Sequence, residues 1–108
     1  MSEIITRRLL IRGRVQGVGF RNYIAYKAQQ LGVCGWVRNR SDGSVETVLH
    51  GPAIAVEAMM ACARRGPRAA QVSGVEVREL AGDGATGDDP GDVDPGGEYT
   101  RFETRRTV

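Results

Sequence analysis

Nine residues hold the densest chemistry in the chain: Gly13-Arg14-Val15-Gln16-Gly17-Val18-Gly19-Phe20-Arg21. Three glycines fall within seven positions, and an arginine closes the run where a helix is expected to begin. Glycine admits left-handed backbone and lets a ligand approach closely. Amides gathered in such a loop, at the positive end of a helix dipole, make an anion cradle. Arg21 adds a planar fork of donors suited to a phosphoryl or carboxylate group. The glycines serve either this cradle or a tight strand-to-helix turn. The spacing excludes two nucleotide motifs. Asn22 stands where a dinucleotide fingerprint needs its third glycine, and no Gly-Lys-Ser/Thr ending is present.

A second candidate is Asn39, at the end of Gly35-Trp36-Val37-Arg38-Asn39-Arg40-Ser41-Asp42-Gly43. Its amide accepts a hydrogen bond from water and donates to a phosphate oxygen, but is no strong base. An asparagine before a turn is also a common turn cap. His50, the single histidine, is either a general base or structural, and without a paired Ser or Cys the structural role is favoured. Cys34 and Cys62 lack Cys or His partners at metal-ligand spacing and are expected as buried, reduced thiols. Arg38, Arg40, Arg64, Arg65 and Arg68 read as solvated surface charges.

Apolar periodicity supplies the elements that must carry these groups. Ile4–Arg12 reads as a strand with Ile5, Leu9 and Ile11 on one face. Asn22–Leu31 reads as a helix ended by Gly32, and Cys34–Arg40 as a second strand. Asp42-Gly43 is a hairpin turn signal. Val45–His50 is a third strand broken by Gly51-Pro52, and Ala53–Arg65 a second helix with Val56, Met59, Met60 and Ala63 inward. Gln71–Leu80 and Tyr99–Arg106 complete the strands. The order predicts an α+β, ferredoxin-like βαββαβ sandwich: one antiparallel sheet, two helices on one face, and an extra C-terminal strand.

The 108 residues suit one domain, numbered 1–108. The formal charge of +2 conceals an asymmetry. Residues 81–98 hold six acids, no base, six glycines and two prolines, and read as a flexible acidic loop. The remainder carries 15 basic against 7 acidic residues, a body suited to anionic ligands. The loop is expected to shield that body or to compete with substrate for Arg21. No run approaches the ~18 apolar residues of a membrane span. With no signal-peptide pattern at the start, a cytoplasmic location is expected.

Together the two motifs resemble the acylphosphatases. The resemblance runs from about Arg12 to Gly51, and Gly66-Pro67 with the following valine strand also fits. It implies the ferredoxin-like fold and metal-free hydrolysis of carboxyl–phosphate anhydrides to carboxylate and phosphate, without a cofactor. It implies catalytic roles for Arg21 and Asn39, and phosphoryl binding by the amides of Val15, Gln16, Gly17, Val18, Gly19 and Phe20. A small acyl phosphate is the expected substrate, and a monomer the expected state. Two other readings share the topology. One is a carbamoyl-phosphate-handling domain. The other is a nucleic-acid-binding module, disfavoured because the first and third strands lack the paired aromatics that stack bases.

Overall fold

The computed structural model describes residues 3–80 and 99–108. The expected loop at 81–98 lies outside the described residues. The elements are β1 (Ile4–Arg14), α1 (Phe20–Leu31), β2 (Cys34–Asn39), β3 (Val45–Pro52), α2 (Ala53–Arg65), β4 (Gln71–Glu79) and β5 (Phe102–Thr104). The sheet order is β4-β1-β3-β2-β5, which is the α+β ferredoxin-like arrangement with one added edge strand.

The four core strands pair antiparallel. The sheet as a whole is mixed, because β5 lies parallel to β2, with Gly35 opposite Phe102 and Val37 opposite Thr104. Topology explains this. β5 runs opposite to β4, as β2 does, so the two share a direction where they meet at the β2 edge of the sheet. The last strand is also shorter than its sequence suggests, three residues rather than Tyr99–Arg106.

Alternation divides β1 between two environments. Leu9 and Ile11 join Ile24 and Ala28 of α1, Val56, Met59 and Ala63 of α2, and Val37, Val45 and Leu49 in the core beneath both helices. The opposite face carries Thr6, Arg8 and Leu10 from β1, with a smaller cluster of Trp36, Val48 and Leu80. Three other boundaries differ from expectation by two residues, each for a local reason. β1 continues through Arg14 by a register shift at Arg12/Gly13. Gly13 makes the shift possible at φ +126°, where a Cβ would strike the Gln71 carbonyl and lie 2.7 Å from the Ser73 nitrogen. Gly51 and Pro52 remain in β3, paired with Ile5 and Ile4, because Pro52 then serves as the N-cap of α2. Helix α1 begins at Phe20, which brings Arg21 into its first turn.

On the outer face Arg38 and Arg40 are not solvated charges. Glu46 is fully buried and accepts hydrogen bonds from Arg8 Nε (2.5 Å), Arg38 Nε (2.6 Å) and Arg40 Nη1 (3.1 Å). Arg38 also lies over the Trp36 ring, 4.7 Å from its centroid. The sequence reading missed this because the partners join only through the β2–β3 and β1–β3 pairings. Arg64, Arg65 and Arg68 are exposed as expected.

Burial alone would raise the Glu46 carboxyl's pKa, but the bonds from Arg8 and Arg38, with their charges, outweigh it and hold it below the ordinary value. The unfolded chain therefore takes up the proton first as pH falls. The stability contributed by Glu46 is complete above its unfolded pKa of about 4.3 and is lost as pH drops through the lower folded value. Glu46→Gln should cost about 3 kcal/mol at pH 7, since it leaves three guanidinium groups around a neutral side chain. Urea unfolding of both proteins at pH 7 and pH 3 checks this; a gap that fails to shrink in acid contradicts the pairing.

Candidate active site

Val15 is buried in the core, and the chain then bends through Gln16, Gly17, Val18 and Gly19 before α1 starts. Gly17 and Gly19 adopt left-handed conformations, φ 73° and 78°, with open space where a Cβ would stand. Packing therefore does not require these glycines; the backbone conformation does. Gly19 is the N-cap of α1 and offers no side-chain cap, and the first turn holds no acid. The opening amides of a helix have no partner inside it. Here they are left for an outside acceptor, at the positive end of the dipole.

Arg21 occupies that turn although a cation there opposes the dipole. It is half-buried, and among the described residues it has no ion-pair or hydrogen-bond partner. A cleft of about 100 Å³ gathers Val15, Gly17, Gly19, Phe20, Arg21, Asn22 and Asn39. Arg21 and Asn39, 18 positions apart in sequence, thus line one small polar space. Asn22 was not among the residues singled out from the sequence; its sign is a helical first-turn position directly after Arg21. A larger groove of about 690 Å³ runs along α1 past Tyr26 and Gln29 to Arg101 and Phe102, and shares only Asn22 with the cleft. It lacks Arg21 and the glycine loop.

Two residues of the expected set support the cleft without lining it. Val18 packs against the core. The Gln16 side chain donates to the Arg40 carbonyl (2.7 Å) and the Ser44 carbonyl (2.8 Å). It thereby ties the glycine loop to the β2–β3 hairpin and fixes Asn39 beside the loop. Asn39 is also held by its backbone: its carbonyl accepts from the Val108 amide (3.2 Å), while the Ser41 amide donates to the Val108 carbonyl (2.6 Å). Gln16→Leu removes the tie and should lower kcat about tenfold or more, since small misplacements of a positioned group are costly. Unchanged kcat in a folded Gln16→Leu protein would show that the hairpin needs no such anchor.

The other reactive side chains lie apart. The Thr6 hydroxyl and His50 Nδ1 are 2.7 Å apart in a hydrogen bond, and the His50 ring meets Tyr99 on the outer face. Cys34 and Cys62 are free thiols, half-buried rather than fully buried. Burial raises the Tyr23 hydroxyl's pKa, reinforced by the neighbouring Cys62. Among the described residues no three His, Cys, Asp or Glu side chains gather as metal ligands. Trp36 is 2% exposed and sits under Arg38 and Arg105, so its ring is not offered for base stacking.

The ferredoxin-like fold agrees with the comparisons to known proteins. Residues 7–88 match the family model described as Acylphosphatase. An acylphosphatase of Methylococcus capsulatus is 53% identical over 100 residues, covering 93% of this chain and 95% of the relative. One of Nitrobacter hamburgensis is 54% identical over 81 residues, 75% of this chain and 81% of the relative. The solved structure of an acylphosphatase from Coxiella burnetii superposes with a TM-score of 0.77 at 30% identity, covering 94% of this chain and 93% of that one. The chain belongs to the acylphosphatase family, and hydrolysis of acyl phosphates is its function.

Proposed function

We propose that this hydrolysis runs without a metal or other cofactor, on Arg21, Asn39 and the glycine-loop amides. The convergence of Arg21 and Asn39 on one cleft at the N-terminus of α1 carries the reading. Phosphoryl oxygens sit among the amides from Val15 to Phe20, and Arg21 binds two of them through its fork. Arg21 and the loop then offset charge that grows on those oxygens in the transition state. Asn39 holds the attacking water in line with the departing carboxylate. That carboxylate leaves readily, so no strong general acid is required. The water's proton passes to a phosphoryl oxygen. Catalysis is positioning plus electrostatics, as in phosphoryl transfer generally.

The reading includes a single domain acting as a monomer in the cytoplasm, on a small acyl phosphate and not on nucleic acid. The covered Trp36 ring supports the last point. No helix among the described residues is long and apolar enough to cross a membrane. Benzoyl phosphate hydrolysis with and without a chelator tests the scheme. Turnover indifferent to chelator is expected; turnover abolished by chelator and restored by a divalent cation would reject the metal-free mechanism while leaving the family assignment intact.

A further inference from the structure

Burying a carboxylate completely is costly, and apolar side chains of similar volume often serve stability as well as a buried ion cluster does. Glu46 is 0% exposed, and the proposed chemistry does not touch it. Its place relative to Asn39 gives it a use. Successive side chains of a strand point to opposite faces. In β2, Val37 joins the core beneath the helices and Trp36 the cluster on the outer face. Arg38 and Arg40 therefore share the outer face with Glu46. Asn39, between them, turns toward the helices and lines the cleft with Arg21. Register sets Glu46 opposite Arg38 and Val45 opposite Asn39.

The carboxylate divides its two oxygens. Oε1 accepts from Arg38 Nε (2.6 Å) and Arg40 Nη1 (3.1 Å), the two residues that flank Asn39. Oε2 accepts from Arg8 Nε (2.5 Å) on β1. Asn39 is the last residue of β2, and the turn beyond it, Ser41 to Gly43, is exposed. Chain that runs into an exposed turn opens more readily than the centre of a sheet. One oxygen thus grips the backbone on both sides of Asn39, from the face opposite the cleft. Gln16 grips the same hairpin from the loop side, through the carbonyls of Arg40 and Ser44. We propose that Glu46 is a positioning residue for the hydrolysis: through Arg38 and Arg40 it sets the direction in which the Asn39 amide meets the attacking water. This inference rests on the water-positioning role of Asn39. Losing the clamp should lower kcat and spare phosphoryl binding, because Arg21 and the loop amides hold that group from the segment between β1 and α1.

The test measures benzoyl phosphate turnover and inhibition by inorganic phosphate in the full chain, on preparations shown by urea titration to be folded. Methionine keeps much of the packing of an arginine stem while removing the charge. Arg40→Met should lower kcat about tenfold and leave the phosphate inhibition constant within about threefold. Arg8→Met removes an equally direct bond to the same carboxylate but does not flank Asn39, so its kcat should stay within about twofold while its stability falls. Glu46→Gln should lower kcat at least as far as Arg40→Met; the arginine variants decide the matter if that protein fails to fold. Added to Asn39→Ala, Arg40→Met should have less than about a twofold further effect, because its action passes through the missing amide. No loss in Arg40→Met, an equal loss in Arg8→Met, or a full Arg40→Met loss persisting beside Asn39→Ala would each overturn the proposal and leave the role of Asn39 standing. Intact kcat in Asn39→Ala alone would instead remove the water-positioning reading, and this inference with it.

Discussion

Arg21→Ala is expected to lower kcat for benzoyl phosphate by at least about 100-fold, the scale of losing one preorganised donor to a developing charge. The side chain lines the cleft and has no ion-pair partner among the described residues, so the substitution disturbs no structural pairing. Removing a cation from the first turn of α1 should instead raise stability by about 0.3–1 kcal/mol, because the dipole disfavours it there. The combined result, turnover lost and thermal stability kept or gained, would mark a residue retained for chemistry at a cost to the fold. Arg21→Lys should recover little, since a compact ammonium cannot reproduce two parallel donors. Near-normal kinetics in Arg21→Lys would refute a bidentate contact and reduce the residue to a source of positive potential.

Asn39→Ala is expected to cut kcat about 100-fold, while inhibition by inorganic phosphate stays within about threefold. The separation follows from the two roles. The loop amides and Arg21 hold the phosphoryl group, and Asn39 positions the water. Its backbone ties to Val45 through the strand register and to Val108 through its carbonyl do not depend on the side chain, so the hairpin should keep its shape. Measuring kcat and the phosphate inhibition constant on the same preparation distinguishes the cases. Weakened phosphate binding with intact kcat would move Asn39 from water positioning to phosphate binding.

Local pattern was enough to read most of the fold. Alternation in Ile5, Leu9 and Ile11, helical spacing of Val56, Met59 and Ala63, and the Asp42-Gly43 turn each report a preference that tertiary contacts then reinforced. Boundaries failed where a residue's role depended on a distant strand. Gly51-Pro52 reads as a break, yet pairing with Ile4 and Ile5 keeps it in β3. Tyr99–Arg106 reads as a strand, yet the short parallel edge beside β2 pairs only Phe102–Thr104. Glu46 shows the same limit in a side chain. Nothing near it in sequence marks a buried carboxylate; its burial depends on Arg8, 38 positions away, and on Arg38 across the hairpin.

The amino-acid sequence by itself determined the chemical inventory: a glycine loop able to turn its amides outward, an arginine fork after it, and an amide at the end of the second strand. These are properties of residue type and short spacing, governed by local φ/ψ and donor geometry. Only the tertiary structure decided that Arg21 and Asn39 share a cleft of about 100 Å³, and that Gln16 serves it by bonding Arg40 and Ser44 rather than by facing into it. It also decided that Arg38 and Arg40 are structural and not solvated. Such facts depend on which strands become neighbours, and the burial of a common core, not local conformational preference, sets that choice.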